Sequence, residues 1–132
     1  MSPHGDATVT IPLRFAINRI SAPNMPYAEF AAMSQRLGVG AVEIRYDLKG
    51  GELTDGTPAK QVADATAGHG LTLRSINALQ RFEQFDATRE AEAVALSKYA
   101  VASGTEALVL CPTNTPVTRA ARSSATPTSS TR

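Results

Sequence analysis

The sequence predicts an α/β fold built from parallel βα repeats. Helix-like stretches that end in glycine are followed by short β-rich runs, and this order recurs after Gly38, Gly70 and Gly104, which lie 32 and 34 residues apart. Such spacing fits one βα unit, and regular alternation of strands and helices favours parallel pairing with helices covering the sheet. An earlier apolar run, residues 15–18, has no helix before it, so four strands are expected.

Four strands leave two architectures open. A closed eight-stranded barrel takes about 250 residues, whereas this chain has 132. The chain is therefore either a small open sheet or the first half of a barrel. We expect a flexible leader over residues 1–13, a partial barrel over 14–114, and a disordered tail over 115–132 that is rich in Ser, Thr and Arg. The abrupt change after Asn114 suggests a truncation or a shift of reading frame, which the coding DNA would test.

Each element follows from local signals. We expect strands at 14–20, 41–46, 71–77 and 107–111, the last buried on both faces because it is continuously apolar. Pro26 and Pro58 suit the first turns of two helices, Asp86 or Thr88 caps a third, and Gly38 suits the left-handed end of the first. The expected inner faces are Tyr27, Phe30, Met33 and Leu37 in the first helix, Val62, Ala65 and Thr66 in the second, and Ala91, Val94, Ala95, Val101 and Ala102 in the third.

Composition and motifs exclude several classes of function. The 13 basic and 12 acidic residues nearly balance, which disfavours binding to nucleic acid or an anionic membrane. No apolar run is long enough to span a membrane, and the single cysteine and the polar N-terminus favour the cytoplasm. Where a nucleotide-binding sheet needs a glycine-rich turn, the chain has Ser21-Ala22-Pro23-Asn24.

Chemistry is expected at the carboxyl ends of the strands, where parallel βα proteins place their sites. Period-two alternation places Glu43, Arg45 and Asp47 on one face of the second strand, with Val42 and Ile44 on the other. Glu43 and Arg45 can pair, or the arginine fork can hold a polyol or an anionic substrate. The pattern does not decide between two alternatives: an ion pair that only stabilises the fold, and charged side chains that bind a substrate.

Four segments together resemble one family. RFAINRI, RLGVGAVEIRYD, HGLTLRSINAL and ASGTEALVLCPTN, within residues 14–114, resemble the N-terminal half of the sugar phosphate isomerase/epimerase family with a xylose isomerase-like TIM barrel. Inosose isomerases and dehydratases of inositol catabolism are similar proteins. By position, the resemblance implies five substrate-facing residues: Asn18, Glu43, Arg45, Asn77 and Asn114.

The resemblance also implies a divalent metal, Mn, Mg, Zn or Co, held by Glu, Asp, His and Glu ligands from later strands. It implies transfer of a proton or hydride between adjacent carbons of a sugar or polyol. Since the later strands are not in this sequence, we expect a truncated isomerase or epimerase, inactive and without a metal when alone. The alternative is a non-catalytic α/β module that binds a partner or small ligand. In the truncated barrel, the first and last strands would be exposed edges, which predicts self-association.

Overall fold

A computed structural model describes residues 11–113. Asn114, the predicted tail and most of the predicted leader lie outside these residues. The elements, in chain order, are β1 (Ala16–Asn18), a 3-10 helix (Arg19–Ser21), α1 (Tyr27–Arg36), β2 (Ala41–Arg45), α2 (Ala59–Gly68), β3 (Thr72–Gln80), α3 (Ala87–Ser103) and β4 (Ala107–Cys111). No described helix is both long and apolar enough to cross a membrane.

The four strands form one parallel sheet in the order β1-β2-β3-β4. Strands that are consecutive in the sequence are therefore neighbours in the sheet. Since connections between parallel strands are right-handed as a rule, all the connecting helices are expected on one side of the sheet. One apolar core confirms this placement, since it joins all three helices to β2 and β3. Its fully buried members include Phe30, Val42, Ile44, Val62 and Ile76. The predicted α/β half barrel is confirmed.

The first strand is shorter than its apolar pattern predicts. Instead of running from Arg14 to Ile20, β1 stops at Asn18, whose side chain accepts a hydrogen bond of 3.0 Å from the backbone N–H of Ile20. This cap starts the 3-10 helix, because a short polar side chain that bonds its neighbouring backbone competes with strand pairing. The third strand is longer than predicted and continues to Gln80.

The third helix begins at the predicted cap but turns a different face to the sheet. Asp86 accepts a 2.8 Å hydrogen bond from the backbone N–H of Arg89, and Leu96 and Ser103 are the buried residues. The predicted inner face is wrong, because all five of its residues are exposed; they are Ala91, Val94, Ala95, Val101 and Ala102.

Two smaller expectations about burial are also wrong. Leu37 is 63% exposed because it follows the last turn of α1, and Leu110, on the last described strand of the sheet, is 50% exposed. The left-handed Gly38 is confirmed at φ 76°.

Two tyrosines tie the helices together. The Tyr27 hydroxyl lies 2.6 Å from Thr66 Oγ1, which itself donates to the Val62 carbonyl, so Tyr27 is the donor that links α1 to α2. The Tyr99 hydroxyl of α3 donates to the Thr57 carbonyl at 3.1 Å. Burial raises the pKa of each phenol to about 12.

We expect the protein to lose stability at high pH through Tyr27. Its pKa is raised from 10.0 to about 12, so the contribution is fully present below pH 10 and is lost as pH rises toward 12. A shift of this size is worth roughly 2 to 3 kcal/mol. Urea unfolding measured at several alkaline pH values checks this. Tyr27→Phe should flatten the pH dependence, and an equally steep fall in that variant would contradict the assignment.

Candidate functional site

A row of polar side chains crosses the face of the sheet opposite the helices. Asn18 of β1, Glu43 of β2 and Ser75 of β3 are register partners on adjacent strands. Asn18 Nδ2 donates to Glu43 Oε2 at 3.2 Å, and Ser75 Oγ donates to Glu43 Oε1 at 2.8 Å. Asn77 Nδ2 in turn donates to Ser75 Oγ at 3.0 Å. We call these four residues the polar row.

Alternation along β2 separates this row from the core. Val42 and Ile44 are fully buried beneath the helices, while Glu43 and Arg45 are half-buried on the other face, as predicted. The consequence is a carboxylate whose two oxygens are each fixed by a neutral donor. Such a group is oriented without losing all its lone pairs, so it can still accept a hydrogen bond from a ligand hydroxyl.

A register shift in β3 brings Ser75 to Glu43. Val42 pairs with Leu73, but Glu43 pairs with Ser75, so Arg74 is an additional residue between them. This bulge lets Leu73 and Ile76 both enter the core while Ser75 and Asn77 reach the polar row. Bulges commonly redirect side chains in this way beside functional sites.

Arg45 holds Asp47 and not Glu43. Its Nε and Nη2 donate to the two Asp47 oxygens at 2.7 and 2.5 Å, a two-point pair. The Arg45 hydrogen bond lowers the pKa of the Asp47 carboxyl, and the same bond raises the pKa of Arg45. The expected Glu43–Arg45 ion pair is wrong, because cross-strand neighbours from β1 and β3 occupy the Glu43 oxygens.

The structure therefore brings three of the five predicted site residues together: Asn18, Glu43 and Asn77 are joined through Ser75. Arg45 is adjacent, since it is the register partner of Asn77, and Asn114 lies outside the described residues. Ser75 is the member to which the resemblance gave no role. Its position two residues before Asn77 is a sequence signal that places both on one face of a strand.

A buried ion pair lies beside the site, at the carboxyl end of the sheet. Arg19 and Glu52 are 3% and 4% exposed, and Arg19 Nε donates to Glu52 Oε1 at 3.0 Å. The guanidinium also donates to the Ala22 and Met25 carbonyls and lies 5.1 Å from the centre of the Phe30 ring. Arg19 thereby connects the end of β1 to the long loop after β2.

The pair forms one wall of a cleft of about 530 Å³ between the start of α1 and that loop. Glu52 Oε2 is buried and has no hydrogen-bond partner within the part of the chain that the structure describes. Sequence patterns do not reveal Glu52, because it lies in an irregular loop without periodicity.

The described residues do not fit the metal that the resemblance implies. Among residues 11–113 there is no group of three or more His, Cys, Asp or Glu side chains able to hold a metal ion. The carboxylates nearest the polar row are already engaged, Glu43 by Asn18 and Ser75 and Asp47 by Arg45. A hard cation needs several convergent oxygen ligands, so we derive no chemical step through a metal.

A comparison with solved structures identifies a similar protein. The crystal structure of a xylose isomerase domain-containing protein from Salmonella typhimurium LT2 matches with a TM-score of 0.72 and 36% sequence identity. The match covers 76% of this chain and 37% of that protein, so the chain spans well under half of its length. No family model and no curated protein matches the chain.

Together, the sheet order and this neighbour define the class of fold. Four parallel strands alternating with helices form half of a TIM barrel. More particularly, the half barrel is xylose isomerase-like.

We expect the Arg19–Glu52 pair to be a main support of this end of the sheet. Glu52→Gln leaves the buried guanidinium without its counter-charge, and breaking a buried pair from one side costs about 3 to 5 kcal/mol. Urea denaturation measures the loss. Lys60→Gln is the matched control, because the Lys60–Asp64 pair is exposed and such pairs are worth about 0 to 1 kcal/mol. Equal losses in the two variants would show that the buried pair has no special role.

Proposed function

We propose that the chain is the substrate-facing, N-terminal half of a sugar or polyol isomerase or epimerase. The observation that carries this is the polar row: a carboxylate fixed between an amide and a hydroxyl, on the helix-free face, beside a guanidinium. Support comes from the fold shared with a xylose isomerase domain-containing protein at 36% identity. Membership of the sugar phosphate isomerase/epimerase family is part of the proposal.

The residues of the row suit recognition of hydroxyl groups. Glu43 accepts from a hydroxyl of the ligand, because its oxygens keep lone pairs beyond those used by Asn18 and Ser75. Arg45 uses Nε and Nη2 on Asp47, which leaves Nη1 to donate to a ligand oxygen. Donors and acceptors that alternate across neighbouring strands match the adjacent oxygens of a polyol. An inosose-like compound or a sugar phosphate is the substrate class that we propose.

The conversion itself needs groups beyond this chain. In the proposed full-length enzyme, the residues described here orient the substrate. A single cysteine without an internal partner suits a reducing compartment, and we place the protein in the cytoplasm.

The binding role of the polar row is tested by NMR titration with myo-inositol and xylose. The side-chain amide signals of Asn18 and Asn77 should shift, because both groups lie within the row. Glu43→Gln should abolish the shifts, since an amide NH₂ in place of one oxygen adds donors next to the donors already there. Lys60→Gln should leave them unchanged. Saturable shifts confined to the Arg19–Glu52 cleft, or shifts that survive Glu43→Gln, would contradict the proposal.

We also expect that residues 1–132 alone bind no divalent metal tightly and turn over no sugar. Among residues 11–113 no three His, Cys, Asp or Glu side chains converge, so micromolar affinity for a hard cation has no ligand set to support it. Calorimetric titration with manganese or zinc, followed by an assay with ketose and inosose substrates, measures both properties. Micromolar binding accompanied by isomerisation would show that this half of the barrel is sufficient.

A further inference from the structure

The outer face of α3 carries exposed valine and alanine side chains that no described element covers. Val94 and Val101 are 48% and 84% exposed, while Leu96 on the inner face is 4% exposed. At 3.6 residues per turn, Val94 lies about 160° and Val101 about 140° around the helix from Leu96, counted in the same direction. The exposed valines therefore point away from the sheet.

Completing the barrel does not explain this face. Helix α3 packs against α2 on one flank and against β3 and β4 beneath it. A following helix in a barrel packs on the remaining flank, because each connecting helix lies over its own pair of strands. The face directed away from the sheet stays outside in either case.

The outer face has the spacing of a helix-pairing seam. Ala87, Ala91, Val94, Lys98 and Val101 follow one another at intervals of four, three, four and three residues, the spacing at which two helices interlock side by side. All five are exposed. The small alanines allow close approach, and the two valines supply branched side chains to fill the gaps between them.

Two charged residues on this face indicate which partner fits it and in which orientation. Glu90 and Lys98 border Val94 at four residues on either side, both are exposed, and neither forms an ion pair within residues 11–113. In an antiparallel pair of α3 helices centred on Val94, each Lys98 meets Glu90 of the other copy. A parallel pair would instead oppose like charges.

We propose that the outer face of α3 is a self-association surface, occupied by α3 of a second copy in antiparallel orientation. Val94 packs on Val94 at the two-fold axis, Ala87 lies opposite Val101, and Lys98 extends over Ala91 toward Glu90. A two-fold contact of this kind uses one patch on both copies. A single pair of helices about 25 Å long makes a small interface, so we expect a dimer that dissociates on dilution.

Analytical ultracentrifugation of the full chain over a range of concentrations tests the proposal. Lys98→Glu and Glu90→Lys should each weaken dimerisation about tenfold or more, because each opposes like charges twice in the dimer. The double variant exchanges the two charges and should recover most of the wild-type affinity. Since Glu90 and Lys98 are eight residues apart in the same helix, the recovery cannot come from a contact within one copy.

Two further variants separate this surface from the open strand edge. Val94→Asp should abolish the dimer, whereas Leu110→Lys, on β4, should leave it intact. Circular dichroism at a concentration where every form is monomeric verifies that each variant is folded. A wild-type chain that stays monomeric throughout, a dimer lost only in Leu110→Lys, or a double variant as weak as the singles would each overturn the proposal.

Discussion

Coverage of the sheet on one side only is the constraint on which the rest of the structure depends. The strands are parallel and consecutive, and since such connections are right-handed as a rule, α1, α2 and α3 lie on one face. Apolar residues of β2 and β3 must then point to that face, as the complete burial of Val42, Ile44 and Ile76 shows. No described helix packs against the opposite face. Because it need not be apolar, it can hold Glu43 and its hydrogen-bonding neighbours at a cost that cross-strand donors offset.

The carboxyl end of the sheet is held by a second, more local interaction. Arg19 begins the segment after β1, and Glu52 lies in the loop after β2, so their pair fixes two neighbouring connections relative to each other. The Arg19 hydrogen bonds to the Ala22 and Met25 carbonyls also fix the segment that leads into α1. The polar row ends at Asn18, the residue directly before Arg19. The ion pair therefore adjoins the row along the chain without being part of it.

The parallel strands were predictable from the regular alternation of strand-like and helix-like segments. The two faces of β2 were predictable because its residues alternate between charged side chains, Glu43 and Arg45, and apolar ones, Val42 and Ile44. The inner face of α3 was not predictable, because alanine and valine occur on both of its sides and period alone cannot choose between them. The partner of Glu43 was missed for another reason. Proximity along the chain favoured Arg45, but register brings Asn18 and Ser75 closer, and the bulge at Arg74 that sets this register has no clear sequence signal.

The carboxylates of Glu52 and Glu43 differ in whether their hydrogen-bond partners also balance their charge. Glu52 is buried against a guanidinium, so its charge is balanced within the protein and its role is to hold two loops together. Glu43 is bound by an amide and a hydroxyl, which orient it without balancing its charge. Arg45, the nearest cation along the chain, is engaged by Asp47 instead. Because Arg45 pairs with Asp47, the hydrogen-bond partners of Glu43 in the polar row are neutral groups.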